Sequence, residues 1–301
     1  MAILNQTNDG LFNVLVALAR CLATLGASKK QKLLDYCAPL SLSDQDMAKK
    51  TLRRWTQIGL FSEEDEVVGF ASDLKYKYSR KRFELPEFTE DIRQLIFADR
   101  NNLRFWENEK NQSADMCRLT AWMLAQDVHK FQPSNFSDAD DLYVTQINMP
   151  NVIRQFTNST RWNGFTSWGA FLGFGQSETG KAVGAFMLDP TVAIRRAAHA
   201  VLSNRAETTV SDFVKELSDI VPVVDGGVYR LEVESRLKSD KWQRPAPGEV
   251  STSLSIALLR LRESGELRFE SRSDASSQMK LIGRNGRVVE SVTHVRQGDA
   301  K

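Results

Sequence analysis

The chain has 301 residues, enough for two or three domains, and its 42% hydrophobic and 26% charged residues exclude a globally disordered or fibrous protein. The formal net charge is only +2, so the local distribution of charge must carry any nucleic-acid binding. No apolar run approaches the ~20 residues of a membrane span, no secretory signal is evident, and the scattered Cys21, Cys37 and Cys117 predict buried thiols in a reducing cytoplasm.

The first third of the chain predicts three helices followed by a small β-hairpin. Apolar residues recur at helical spacing over 11–25 and 29–37, and Ser43 offers an N-cap for a third helix that ends before Gly59. Two short extended segments then flank an acidic turn over 62–66. This order predicts a winged helix-turn-helix domain over residues 1–72, whose third helix would enter the DNA major groove.

The third predicted helix has one apolar face and one basic face. Its apolar residues recur at spacings of three and four and are expected to pack inward: Ala48, Leu52, Trp55 and Ile58. The residues around the rest of the helix are mostly cationic and are expected to contact DNA: Lys49, Lys50, Arg53, Arg54 and Gln57. Because the neighbouring acidic turn would repel phosphate, a solvated or protein-docking face is the alternative interpretation.

Residues 73–205 predict a mostly helical middle domain. It opens with basic and aromatic residues interleaved over 75–83, which we interpret as an amphipathic linker strand, with contact to a single nucleic-acid strand as the alternative. The helices expected after it cover 86–98, 113–131, 150–158, 164–174 and 191–202.

Residues 206–301 repeat the last helix and hairpin of the first domain. A helix from Ser253 ends at Gly265, strands over 267–270 and 279–282 are expected to pair, and residues from about 296 are expected to be frayed. A further hairpin is predicted over 222–230, around a D-G-G turn. The turn after 270 carries serines instead of carboxylates, so this copy is expected to bind DNA better, through Arg260, Arg262, Arg268, Arg272 and Lys280.

Two motifs resemble catalytic sites, and each lacks a residue that its chemistry requires. Gly175–Lys181 has the glycines and lysine of a phosphate-binding loop, but Ala182 stands where a hydroxyl must hold magnesium. Asp225 with Glu232 and Glu234 resembles the acidic hairpin of metal-dependent nucleases without its adjacent lysine. We therefore expect no enzyme activity, metal or cofactor, with a degenerate nucleotide hydrolase or a nuclease as minor alternatives.

Four short segments together resemble the DpdG family: Ile3–Leu11, Arg161–Phe165, Asp189–Thr191 and Val223–Gly227. Proteins of that family belong to the bacterial Dpd cluster, which inserts 7-deazaguanine bases into DNA and restricts unmodified DNA. The resemblance implies a cytoplasmic accessory subunit on the restriction side of a phage-defence system, with other subunits of that system as partners. It implies no catalytic residues.

The sequence thus predicts a mainly α protein with small β-hairpins, in which two winged-helix domains flank a helical middle. The expected function is a non-catalytic subunit that binds double-stranded DNA and has no contact with membranes. Two alternatives stay open: an adaptor that docks a helicase or nuclease without binding DNA, and a winged-helix transcription regulator.

Overall fold

In a computed structural model, the described residues are 3–4, 12–38, 46–78, 83–107, 112–131, 133, 135–150, 152, 154–177, 186–275 and 277–299. They form a mixed α/β fold in which helices predominate over small sheets. The chain divides into two compact units, Met1–Met116 and Cys117–Lys301, which are described separately. The expected division into residues 1–72, 73–205 and 206–301 stays a prediction.

The first unit begins with the order helix, strand, helix, helix, strand, strand. These elements are α1 (Phe12–Leu25), β1 (Ser28–Lys29), α2 (Lys30–Cys37), α3 (Asp46–Ile58), β2 (Phe61–Glu64) and β3 (Val67–Phe70). The strands form one antiparallel sheet in the order β1-β3-β2, with Phe61 opposite Phe70 and Ser28 opposite Val68. The predicted helices and hairpin are therefore present, while the expected cap at Ser43 lies outside the described residues.

The first unit continues with α4 (Ser72–Tyr78), α5 (Leu85–Phe97) and a 3₁₀ turn (Asp99–Asn101). The predicted linker strand is wrong for residues 75–78, which are helical, and residues 79–82 lie outside the described part. The reason is tertiary: Asp91 on α5 accepts hydrogen bonds from Lys77 Nζ at 2.7 Å and from the Tyr78 hydroxyl, which hold α4 in place.

The boundary between the units falls within α6 (Ala114–Leu124), and a largely helical region follows. Its elements are α7 (Phe136–Gln146), α8 (Ser159–Phe171), β4 (Gly175–Ser177), β5 (Phe186–Leu188) and α9 (Thr191–Leu202). The helix predicted over 113–131 is shorter than expected, α7 was not predicted, and the described residues of 150–158 are not helical. Buried aromatic rings, including Trp162 and Phe165, form the core here.

The described residues in the last part of the chain form three α-helices and two small sheets. Its elements are β6 (Glu207–Thr209), α10 (Val210–Ile220), α11 (Val228–Glu234), β7 (Glu249–Val250), α12 (Thr252–Glu263), β8 (Leu267–Glu270), β9 (Met279–Ile282), β10 (Val288–Val292) and β11 (His294–Gln297). One sheet has the antiparallel order β6-β11-β8. In the other, of order β10-β9-β7, β9 is antiparallel to β10 and parallel to β7.

The order α9, β6, α10, α12, β8, β11 repeats the order α1, β1, α2, α3, β2, β3 of the first unit. In both, the last strand lies between the other two. The structural repeat is therefore longer than the helix and hairpin that the sequence predicted, and α11, β7, β9 and β10 are insertions in the second copy.

Three expectations for this region are wrong. Strand β8 pairs with β11 and not with β9, because β9 is engaged by β7 and β10. Residues 222–230 form turns and the start of α11 instead of a hairpin. Arg296 and Gln297 are not frayed, because they pair in β11 with Arg268 and Leu267.

The described helices do not include one that is both long enough and apolar enough to cross a membrane. No disulfide joins the three cysteines, all of which lie in the described residues; Cys117 is buried as expected, whereas Cys21 and Cys37 are only half-buried.

Candidate nucleic-acid interface

The exposed face of α3 is a single stripe of polar side chains that we call the α3 stripe. The stripe consists of Asp46, Lys49, Lys50, Arg53 and Gln57, at helical spacings of three and four. On the opposite face, Ala48, Leu52, Trp55 and Ile58 are buried as predicted. Within the described part of the chain, the three cations of the stripe form no ion pair with an acidic side chain. Their charges are therefore free to meet an anionic ligand.

Arg54 does not belong to the α3 stripe, so the expectation that it lies on the exposed face is wrong. Its exposed fraction is 4%, and its Nη1 donates a hydrogen bond to the backbone carbonyl oxygen of Ile3 at 2.7 Å. The next residue, Leu4, donates its backbone N–H to Asp115 Oδ2 at 2.8 Å. Arg54 thus holds the segment Ile3–Leu4 inside the first unit and is not available to DNA.

Arg100 is an exposed cation that the sequence analysis missed. The 3₁₀ turn that carries it is tied to the end of α3, because Asn101 Nδ2 donates a hydrogen bond to the Ile58 carbonyl oxygen at 3.0 Å. Gly59 has a positive φ of 99°, and a Cβ atom there would lie 2.9 Å from Arg100 Nη2. Arg100 therefore extends the cationic surface beyond the C-terminal end of α3. No local sequence pattern could have placed it there.

The hairpin β2–β3 is acidic at its tip, as the sequence predicted. Glu63 is neutralised by Lys30 Nζ at 2.7 Å. Glu64, Asp65 and Glu66 are exposed, and no cation among the described residues pairs with them. This tip would repel a phosphate backbone, so the hairpin is not suited to lie along DNA.

The helix of the second copy that corresponds to α3 is nearly enclosed. Of the residues of α12, only Arg260 and Glu263 are exposed, and the others are buried or half-buried. Ser255 Oγ accepts a hydrogen bond from the Ile282 N–H at 2.8 Å and donates one to the Val250 carbonyl oxygen at 3.2 Å, so β7 and β9 cover the helix. Helix α12 therefore cannot enter a DNA groove without displacing the inserted sheet.

The arginines proposed around α12 are already paired with carboxylates. The pairs are Arg260 with Asp189, Arg262 with Glu263 and Glu290, Arg268 with Asp299, and Arg272 with Glu207 and Glu270. The hydrogen bonds that Arg272 donates to Glu207 and then to Glu270 raise the pKa of Arg272 above its ordinary value. Lys280 is half-buried and has no ion-pair partner among the described residues. The expectation that this copy presents the better cationic surface is therefore not supported.

A match to a protein-family model shows the family to which this chain belongs. A family model described as DpdG-like matches residues 1–275. The chain belongs to the DpdG-like family. The resemblance read from four short segments is thus confirmed, and membership suggests a component of the Dpd system. Neither the curated proteins nor the solved structures contain a match to the chain.

In this DpdG-like chain, two of the three acidic residues that resembled a nuclease site, Asp225 and Glu234, contact a buried arginine. Arg230 has no exposed surface; its Nε donates to Glu234 Oε1 at 2.6 Å, and its Nη2 lies 3.3 Å from Asp225 Oδ1. Arg244 Nη2 lies 3.2 Å from the other oxygen of Glu234. The two carboxylates therefore neutralise a buried charge, and no group of three or more metal-ligating side chains is gathered in the described residues.

The segment that resembled a phosphate-binding loop begins in a packed strand. Gly175 lies in β4, where a Cβ atom would be 2.6 Å from the Met187 carbonyl oxygen and would overlap the Phe186 ring. This glycine therefore permits close packing of β5. Helix α8 precedes it where a phosphate-binding loop has a strand, and residues 178–185 lie outside the described part.

Proposed function

We propose that this protein is a non-catalytic, DNA-binding subunit of the Dpd system, and that it contacts the phosphate backbone through the α3 stripe and Arg100. The observation that carries the proposal is the set of three exposed cations on one face of α3, none of them paired with an acidic side chain in the described part of the chain. Cations in this state attract phosphate and release counterions when they bind it.

The element order supports a winged-helix interpretation of both copies. A winged helix-turn-helix has three helices and a β-hairpin, and its third helix is the one that enters the major groove. In the first copy that helix is α3, and its stripe places the Gln57 amide in line with Lys50 and Arg53. An amide can donate to and accept from base edges, while the cations contact phosphates.

The second copy supports assembly more than DNA binding. Its third helix is covered by the inserted sheet, and four of its proposed cations are paired with carboxylates. Moving those arginines onto phosphate would break the existing pairs, so the net gain in free energy would be small. We therefore assign DNA contact to the first unit and structural roles to the second copy.

A non-catalytic role is supported because residues of the two motifs that resemble catalytic sites make structural contacts instead. Asp225 and Glu234 pair with Arg230, and Gly175 serves the packing of two strands. Binding and positioning of DNA for other subunits of the system is the function that these features favour. No specific feature favours a transcription regulator.

The test is the binding of the full-length protein to a short labelled duplex, measured by fluorescence anisotropy between about 50 and 200 mM salt. Three or four phosphate contacts predict a slope of log affinity against log salt of about −2.7 to −3.6. The triple variant K49A/K50A/R53A should lose most of the affinity and most of this slope.

The matched control is the triple variant K215A/R284A/R287A, which also removes three exposed cations but takes them from the second unit. This control should retain nearly the full affinity and slope. Equal losses in the two triple variants would show that only net charge matters, and absence of salt-dependent binding by the unmodified protein would refute the proposal. Duplexes with and without 7-deazaguanine bases, compared in the same assay, test whether the modified base is sensed.

A further inference from the structure

A groove of about 650 Å³ lies in the first unit, between the outer face of its sheet and α4. It is distinct from the α3 stripe, because none of the exposed residues of α3 lines it. Its floor is formed where strand β3 passes the end of α1, and one wall is formed by the side of α4 that carries Lys75 and Tyr78. This volume is large enough to hold several side chains of a bound segment.

The floor of the groove is apolar and open. Side chains alternate between the faces of a strand, so Val68 and Phe70 turn toward the core while Val67 and Gly69 lie on the outer face. Val67 is 39% exposed, a high fraction for a large hydrophobic residue in a strand. Gly69 leaves space above Ala27, whose Cβ atom would lie 3.4 Å from a Cβ placed on Gly69. The groove thus offers an apolar surface that the described residues leave uncovered.

One rim of the groove is acidic. Glu64 and Asp65 line it, and Glu66 follows them at the tip of the hairpin. Asp65 and Glu66 both have positive φ, 47° and 61°, the geometry of a two-residue type I′ turn that matches the twist of the strands. The turn therefore holds the carboxylates at a defined place, and no described cation neutralises Glu64 or Asp65.

We propose that this groove is a docking site for a segment of a partner protein that carries a bulky apolar side chain next to lysine or arginine. The apolar side chain would lie over Val67 and Gly69, and the cation would meet Glu64 and Asp65 at the rim. The carboxylates exclude nucleic acid from this surface for the same reason that they favour a basic peptide. The first unit would thus bind DNA with α3 and a protein with the outer face of its sheet.

The probe is a phage-displayed library of short random peptides, selected on the immobilised full-length protein. Enriched peptides should combine a bulky apolar residue with an adjacent lysine or arginine. One enriched peptide, synthesised with a fluorophore, then gives dissociation constants for the protein and its variants. The double variant E64Q/D65N removes two charges with little change in volume, and it should weaken binding about tenfold.

The variant G69L fills the groove and should abolish peptide binding. Its fold is checked by circular dichroism, and E64Q/D65N keeps the test valid if G69L does not fold. The control D219N/D274N removes two exposed carboxylates of the second unit and should leave the affinity unchanged.

Absence of enriched peptides, enrichment of acidic peptides, or equal effects of the two charge-removing variants would overturn the proposal. The DNA-binding assay is measured separately, so loss of this inference leaves the proposed function intact, and the reverse also holds.

Discussion

Arg54 Nη1 donates a hydrogen bond to the backbone carbonyl oxygen of Ile3 at 2.7 Å, whereas the side chain of its neighbour Arg53 is exposed on the α3 stripe. The two adjacent arginines thus have different roles. Arg54 stabilises the first unit, and Arg53, in our proposal, contacts DNA. The consequence is that they can be separated by experiment.

Replacement of Arg54 by alanine should lower the free energy of unfolding by about 2–4 kcal/mol, because it leaves the buried carbonyl of Ile3 without its donor and opens a cavity. R53A should change this free energy by no more than about 0.5 kcal/mol. Urea denaturation followed by tryptophan fluorescence measures both. Equal stability of the two variants would contradict the assignment of Arg54 to the core.

Replacement of Arg100 by alanine should reduce the slope of log DNA affinity against log salt by about 0.9, the value for one lost phosphate contact. The stability of the variant should be unchanged, since the Arg100 side chain is exposed and the hydrogen bond from the turn to Ile58 on α3 comes from Asn101. R104A is the control, because Arg104 is exposed on the same segment but is paired with Glu107 at 3.0 Å. If R100A has the same slope as the unmodified protein, Arg100 does not contact DNA, and the proposal for the α3 stripe is unaffected.

The double variant R262A/R272A should lower DNA affinity less than about twofold, because the two guanidinium groups are already paired with carboxylates. K49A/K50A, which also removes two cations, should cause a much larger loss. The two variants are compared in one anisotropy assay at low salt. A larger loss of DNA affinity in R262A/R272A than in K49A/K50A would show that the second copy makes the DNA contact.

The lowered pKa of Glu266 predicts that this residue contributes to stability in a pH-dependent way. Burial alone would raise the pKa of its carboxyl group, but hydrogen bonds from Ser264, His199 and Arg195 outweigh burial and lower that pKa. A carboxylate with a lowered pKa stabilises the folded state fully above its unfolded pKa of about 4.3, and this contribution is lost as the pH falls through the folded pKa.

The free energy of unfolding should therefore decrease between about pH 5 and pH 3 more steeply in the unmodified protein than in E266Q. Urea titrations at a series of pH values measure the difference. Parallel curves for the two proteins would show that Glu266 makes no net contribution.

The sequence by itself determined which side of α3 is buried, because helical periodicity is a local property and Ala48, Leu52, Trp55 and Ile58 repeat it without interruption. It also determined the first hairpin, since β2 and β3 are adjacent in the chain and joined by two residues. The acidic tip and the family relationship followed from the same local information.

Only the tertiary structure decided which cations are free. Arg272 meets Glu207 across 65 positions of sequence, and Arg54 meets Ile3 across 51, so neither partner can be read from local spacing. The pairing of β8 with β11 likewise crosses the inserted strands β9 and β10, and local alternation does not specify which strand is the partner. Helix α12 has the same apolar periodicity as α3, but it is covered by a sheet that the long-range fold brings over it.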